Sequence, residues 1–466
     1  MIVGFSLIFQ YNIEDFKDLI ESLREKGINC HFNAGGHYPS LRYKELLNII
    51  PDLDSVTLFE GEYSFLELVQ NIYAGKDWKN IQGIAYKENG NIVSNPLRPL
   101  ENDLDNFPPP VRQPLKTYAF GKKYATILAG RGCHYNCSFC SIREFYSRPP
   151  GHVKRIRRPE MVVREMELLN EKLDCSIFMF QDDDFPVSRN KGKEWVERFC
   201  KLLGENKLGD KILWKINCRP DEVESDVFSL MKNKGLFLVY LGIESGTDEG
   251  LSRMNKHINA DTNIKAVETL KQLGIQYDYG FMLFDPSSTK QSIRDNLDFL
   301  ETICGDGSSP VTFCKMLPYA ETRIEHELKN EGRLKGKPGF EDYDFTDDSL
   351  NYIFPFMVNC FSDWITEHEG LLNMARWARY YLAVYRKYYS INPHFEELDK
   401  KVHEIISHSN LYFINTVRNL VEVTGSKDYL KNETLSTIKR DVADKHSEYK
   451  TKLDDVINDI EDLVHT

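Results

Sequence analysis

Apolar and polar positions alternate along this chain with two different periods. Near the start VGFSLIF is a short apolar run, and IEDFKDLIESLREKG after it sets Phe16, Leu19, Ile20 and Leu23 at helical spacing before Gly27. INCHFNAGG, YKELLNII, DSVTLFEGE and SFLELVQNIY continue the alternation, so residues 1–75 read as a small α/β domain of three strand–helix pairs. Residues 76–123 break it. There IQGIAYKENGNIVSN predicts a hairpin about Asn89-Gly90, and Phe107-Pro108-Pro109-Pro110 a stiff linker, together a connector. Over 124–330 the alternation returns, with strands predicted at YATILA, CSIFMFQ, ILWKINC, LFLVYLGI, YDYGFMLF and VTFCKML, and Pro159 opening the first long helix. Six such units predict a partial, TIM-like (β/α)6 barrel, open on one side, with its chemistry at the strand C-terminal ends.

Residues 331–466 read as helical. LLNMARWARYYLAVYRKYY carries Trp377, Tyr380, Tyr381, Tyr385 and Tyr388, a density that marks core packing or a cover for the open side of the barrel. The last segment, with Leu435, Ile438, Val442, Tyr449, Leu453, Val456, Ile457, Ile460 and Leu463, is an amphipathic tail that docks on the body or on a second subunit.

Composition narrows the class. A chain of 466 residues has room for two or three domains. A net charge of −12 excludes a general nucleic-acid binder, and the basic run Lys154–Arg155, Arg157–Arg158 reads as a solvated face or an anion contact. MIVGFSLIFQYN lacks a basic n-region and a cleavage site, and the longest apolar run, LFLVYLGI, is far short of the ~20 residues that cross a bilayer. Seven scattered cysteines (30, 175, 200, 218, 304, 314, 360) read as reduced core thiols of a cytoplasmic protein.

The remaining three are different. Cys133, Cys137 and Cys140 share one polar, Gly-rich loop with spacing C-x3-C-x2-C, and Phe139 precedes the last. Three thiolates so close can hold three irons of a [4Fe–4S] cluster and leave the fourth open to chelate a small molecule. Zinc would need a fourth ligand, for which His134 and His152 are the neighbours, and three buried core thiols are the plainest alternative.

AGRGCHYNCSFCSI after the YATILA strand resembles the signature of radical S-adenosylmethionine (SAM) enzymes. The resemblance implies that the open iron binds SAM, that an electron from the cluster yields methionine and a 5′-deoxyadenosyl radical, and that Phe139 packs near the adenine. Further positions resemble the same family. Asp182, Asp183 and Phe185 match a D-D-x-F pattern near the SAM amino group, although acids at a helix start are also favoured by its dipole. Arg219 resembles an active-site position, with a salt bridge to the acidic loop as the alternative. Glu244 and Ser245 in Gly242-Ile243-Glu244-Ser245-Gly246, followed by MNKHI, look like the ribose and methionine contacts, and Leu317 like the adenine-side turn. Phe284 stands where a glycine is usual.

At the N-terminus Ser6 with Ile8, then Gly35-Gly36, then Glu60-Gly61-Glu62, resemble the second half of a cobalamin-binding, Rossmann-like domain whose serine strand and double glycine hold the nucleotide tail. The first half, with its D-x-H-x-x-G loop, is missing, which makes this a shortened doubly wound domain and leaves VGFSLIF as an edge strand in need of a cover. The cover is the barrel or a partner chain; a late gene start or a remnant domain also accounts for the missing half.

The chain is thus identified as a member of the cobalamin-domain group of radical SAM enzymes. The resemblance implies hydrogen abstraction from an unactivated carbon, with methyl transfer if cobalamin binds and oxidation or rearrangement if it does not. It also implies an organic substrate, a one-electron reductase or a flavodoxin or ferredoxin, and no membrane or nucleic acid. The rival expectation is an accessory subunit of a radical SAM complex.

Overall fold

A computed structural model describes residues 1–464 apart from 113, 188, 392 and 424–432. The chain forms two compact units. One comprises Met1–Leu104, Arg131–Arg155 and Leu317–Asp344, the other Asp105–Gly130, Ile156–Met316 and Phe345–Thr466. The stretch with the three cysteines therefore folds with the N-terminal residues.

In the first unit, β1 (Ile2–Ser6), β2 (His31–Gly35) and β3 (Ser55–Thr57) are parallel and joined by the helices Ile13–Glu25 and His37–Ile49. Phe5, Phe32 and Val56 meet Ile20, Leu46 and Leu47 of those helices in one buried cluster. The predicted connector hairpin is instead part of this sheet. Its strands β4 (Ile84–Glu88) and β5 (Asn91–Ser94) continue the order β1-β2-β3-β4-β5, antiparallel, because β3 is wholly buried and needs a strand on each side. β1 stands at the edge, and it stops at Ser6, so Ile8 and Phe9 of the predicted apolar strand are exposed.

Residues 317–344 join this unit through Gln10. Its side-chain amide donates to the Pro318 carbonyl at 3.4 Å and its carbonyl accepts the Ala320 N–H at 3.0 Å, while Ala320 enters the core. Arg42 pairs with Glu321 and with Glu325 of the helix Arg323–Asn330. Part of the predicted C-terminal helical region is here a hairpin, Leu334–Lys337 with Phe340–Tyr343, where Gly336 and Gly339 turn at φ 92° and 89°.

The second unit is a curled half-barrel with helices. Its sheet contains β6 (Lys116–Ala119), β7 (Lys122–Ile127), β8 (Cys175–Phe180), β9 (Leu213–Cys218), β10 (Leu236–Glu244) and β11 (Gln276–Phe281). The order is β11-β10-β9-β8-β7-β6, parallel except for β6, so the end of the proline-rich linker supplies an edge strand. The sixth barrel strand predicted at VTFCKML makes only an isolated bridge, Phe284 to Lys315, with Cys314 N–H on the Phe281 carbonyl at 3.0 Å. The ladder gives out because the β10–β11 register slips between Gly242 and Glu244, and Pro310 and Pro318 bracket the segment.

Four helices complete the unit: Leu350–Ile365, Leu371–Tyr388, Pro393–Val423 and Glu433–Asp462. The amphipathic tail docks within it, with Tyr449 6.0 Å from Trp364 and 6.3 Å from Tyr412 between ring centroids. Among the described residues no helix is long and apolar enough to cross a membrane.

Candidate functional site

The cysteine loop is held by its own backbone. Gly132 sits at φ 78°, and a Cβ there would lie 1.8 Å from the Val153 carbonyl oxygen, so no other residue fits. Cys140 N–H closes a turn on the Cys137 carbonyl at 3.2 Å, and the Ser138 carbonyl accepts the Ile324 N–H at 3.0 Å. Cys133, Cys137, Phe139 and Cys140 are half-buried, whereas His134 and His152 are exposed. Three half-buried thiols on one locked loop, with both histidines turned to solvent, fit a cluster's three-thiolate set better than a closed zinc tetrahedron.

Beside the loop in sequence, Arg131 donates to Glu60 at 3.0 Å and to Glu62 at 2.6 Å, and the buried Arg155 donates to Glu60 at 2.8 and 2.7 Å. These hydrogen bonds, against the cost of burial, hold the Glu60 carboxyl below its usual range. Glu60, whose carboxylate takes both arginines, also lines the cavity at the strand ends. The basic run is an anion contact in the same sense, since Arg157 pairs with Asp105 and Glu165, and Arg158 with Asp105.

A cavity of about 470 Å³ opens at the C-terminal ends of β1–β3, and Ser6, Gly35 and Gly36 line it together with Phe59, Phe65 and Tyr146. The His37 ring stacks on Phe145 at 4.0 Å on the same wall. The two glycines differ. Gly36 is required by the chain itself, at φ 115° with the Leu7 carbonyl oxygen 2.5 Å from a Cβ. At Gly35 a Cβ would meet Thr57 only at 3.6 Å, so its bare backbone is not explained by packing and leaves a cradle open. An aromatic slot with such a cradle fits a flat heteroaromatic group such as a nucleotide tail.

At the C-terminal rim of the half-barrel, an aromatic nest of Phe180, Phe185, Trp195 and Trp214 anchors the acidic loop, and Phe185 N–H reaches the Asn217 carbonyl at 3.0 Å. Asp182, only 2% exposed, accepts the Ala129 N–H through both oxygens at 3.1 Å. It anchors backbone and does not present a rim carboxylate; Asp183 is the exposed one. Arg219 is buried, with its fork on Asp221 at 2.9 and 3.3 Å and on the Lys256 carbonyl at 2.6 Å, so it holds its own turn.

Glu244 ends β10 at φ 68°, a strained position for a carboxylic residue, and burial pushes its carboxyl up against the pull of Lys256 and Arg219. Ser245, expected on the SAM hydroxyls, is buried and turned to Asn296 at 3.3 Å. Gly246 must be glycine because a Cβ would strike Phe299 at 2.3 Å. Leu317, in the first unit, is 40% exposed.

Sequence reasoning missed the inner face of the half-barrel. Asn217, Tyr240 and Asp278 stand in register across β9, β10 and β11, with Lys215 two residues before Asn217 on the same face. The signal was polar residues at alternate positions in WKIN, VYLG and YDYG.

Residues 127–300 match the family model described as the radical SAM superfamily. An uncharacterized methyltransferase of Pyrococcus horikoshii is 29% identical over 307 residues, 65% of this chain and 64% of that protein. Anaerobic magnesium-protoporphyrin IX monomethyl ester cyclase of Rubrivivax gelatinosus is 30% identical over 56% of this chain and 47% of its own length. The chain thus spans about half to two thirds of these curated relatives. The cobalamin-dependent SAM radical enzyme OxsB, solved with aqua-cobalamin and SAM, shares the fold at TM-score 0.67 and 17% identity, over 99% of this chain and 72% of that one. The likeness to the radical SAM superfamily thus lies in residues 127–300, and the likeness of fold extends along the chain.

Proposed function

We propose that the protein is a radical SAM enzyme that abstracts hydrogen from an unactivated carbon and, with cobalamin in the β1–β3 cavity, transfers a methyl group. The observation that carries this reading is the cysteine loop locked by Gly132 within the span of the family match. When bound, a [4Fe–4S] cluster with SAM supplies one-electron cleavage of the sulfonium and a 5′-deoxyadenosyl radical. Cys133, Cys137 and Cys140 would be its ligands, and Glu244 and Asp183 the carboxylates left to orient SAM. Asp182 and Ser245 keep the rim in shape, through backbone N–H groups and Asn296. Gly35 leaves room for a cobalamin tail between the aromatic walls. Support for methyl transfer comes from the methyltransferase name of the Pyrococcus relative and from the cobalamin bound in OxsB.

A one-electron donor of flavodoxin or ferredoxin type and a cytoplasmic setting complete the proposal, since buried thiols such as Cys200 and Cys304 suit a reducing compartment. The test is anaerobic reconstitution with iron and sulfide, then hydroxocobalamin and desalting. Four irons with retained cobalamin supports methyl transfer; four irons without it leaves radical chemistry on SAM alone, and no iron contradicts the proposal.

A further inference from the structure

The inner face of the half-barrel is polar and open, while its outer face is packed. Tyr277 and Tyr279, on the outer face of β11, reach the helix Lys290–Cys304, with Tyr277 OH donating to the Ile303 carbonyl and Tyr279 OH to Cys304 Sγ at 3.3 Å. Tyr240 sits at the middle of β10, flanked by strands on both sides, yet is 38% exposed, which requires an open chamber on the inner face.

The helix Leu371–Tyr388 lies against part of that face. Arg379 is 1% exposed, donates to Asp278 at 2.8 Å and to the Tyr277 carbonyl at 2.8 Å, and Tyr380 OH also donates to Asp278. One buried carboxylate is thus held by an arginine and a phenol. Arg376, from the same helix, comes no nearer to Asp278 than 3.8 Å, and its Nε is buried without a hydrogen-bond partner. Lys215 gives its ammonium to Asn217 of its own strand and lies 5.7 Å from the Tyr240 ring centroid.

Charge does not balance on this face. Lys215, Arg376 and Arg379 are cations, and Asp278, the carboxylate of their layer, is taken by Arg379. Asp182 serves the Ala129 and Gly130 backbone, and Glu244 answers to Lys256 and Arg219. Three cations thus share one carboxylate: Arg376 has only the 3.8 Å approach to Asp278, and Lys215 has no carboxylate in contact, in a place where uncompensated charge is costly. An anion from outside would repair both.

We propose, building on the radical SAM reading, that the substrate carries an anionic oxygen group, carboxylate or phosphate, which Lys215 and Arg376 seize over the floor formed by Asp278, Arg379 and Tyr380. The geometry suits either group: an arginine fork takes two oxygens, a lysine a third or the same one as a point charge. The locked floor sets the depth at which that group rests, and so which carbon of the substrate is presented.

The test is competitive acetylation of lysines in the reconstituted full-length chain, with Lys215 followed by peptide mass spectrometry. Inorganic phosphate and succinate are compared with sodium chloride at matched ionic strength. At least one of the two anions should slow Lys215 labelling on the order of threefold, as a charge-assisted contact requires, and the active one names the group. The slowing should vanish in Arg376→Gln, checked for fold by circular dichroism, and return in Arg376→Lys. Equal labelling in all three salts, or slowing that survives in Arg376→Gln, overturns the proposal. SAM cleavage by the same wild-type preparation separates the two claims: cleavage without protection sinks the anion seat alone, and protection without cleavage sinks the radical reading.

Discussion

Asp182 accepts the backbone N–H of Ala129 at 3.1 Å through each carboxylate oxygen, four residues before Cys133. A buried carboxylate taken up by N–H groups stabilises the ionised form and fixes where the loop begins. Asp182→Asn sets an NH2 group against these donors. The expected cost is about 1–3 kcal/mol, seen as a lower Tm together with reduced iron retention after reconstitution. Unchanged iron and Tm would show that the loop does not depend on this anchor.

Gly132→Ala should act directly on the cysteines. Its Cβ would stand 1.8 Å from the Val153 carbonyl oxygen at a φ of 78°, so the loop must move. Iron per chain is expected to fall by more than half while far-UV circular dichroism stays near wild type.

Gly35 and Gly36 separate fold from ligand. Gly36→Ala meets the Leu7 carbonyl oxygen at 2.5 Å and φ 115°, and should lower stability by about 2 kcal/mol or more. Gly35→Val has only Thr57 within 4 Å of its Cβ and should fold with a Tm close to wild type. Its side chain narrows the 470 Å³ cavity, so retention of hydroxocobalamin after desalting should drop at least tenfold. Full retention in Gly35→Val would place the cobalamin elsewhere.

Lys215 carries a stability cost that depends on pH. Burial lowers its ammonium from 10.5 to about 8, against the opposing pull of Asp278 and Asp182. The folded state therefore binds its proton less tightly than the unfolded state does. The cost is complete below pH 8 and is relieved as pH rises from about 8 to 10.5, so this group makes stability increase across that window. Lys215→Met should raise stability at pH 7 by about 1–3 kcal/mol, and the gain should be gone by pH 10.5. Urea melts at the two pH values measure it.

Much of this molecule is legible in its sequence because the informative features are local. C-x3-C-x2-C needs no tertiary knowledge, and strands such as LFLVYLGI and CSIFMFQ announce themselves by length and branching. What escaped depends on partners distant along the chain. Ser245 is drawn to Asn296, 51 residues on, and Glu60 to Arg155, 95 residues on. Arg219 takes Asp221 two residues away and also the Lys256 carbonyl, 37 residues on. The hairpin after Ile84 reads as a connector until β3, too short and too buried to end a sheet, is seen to need it.

The central claim is the radical chemistry, and product analysis tests it most directly. Reconstituted wild type, reduced under anaerobic conditions with SAM, should yield 5′-deoxyadenosine and methionine in step, while Cys137→Ala should yield neither above the level of the protein-free control. Cleavage that persists in Cys137→Ala, or none from wild type loaded with four irons, would contradict the account.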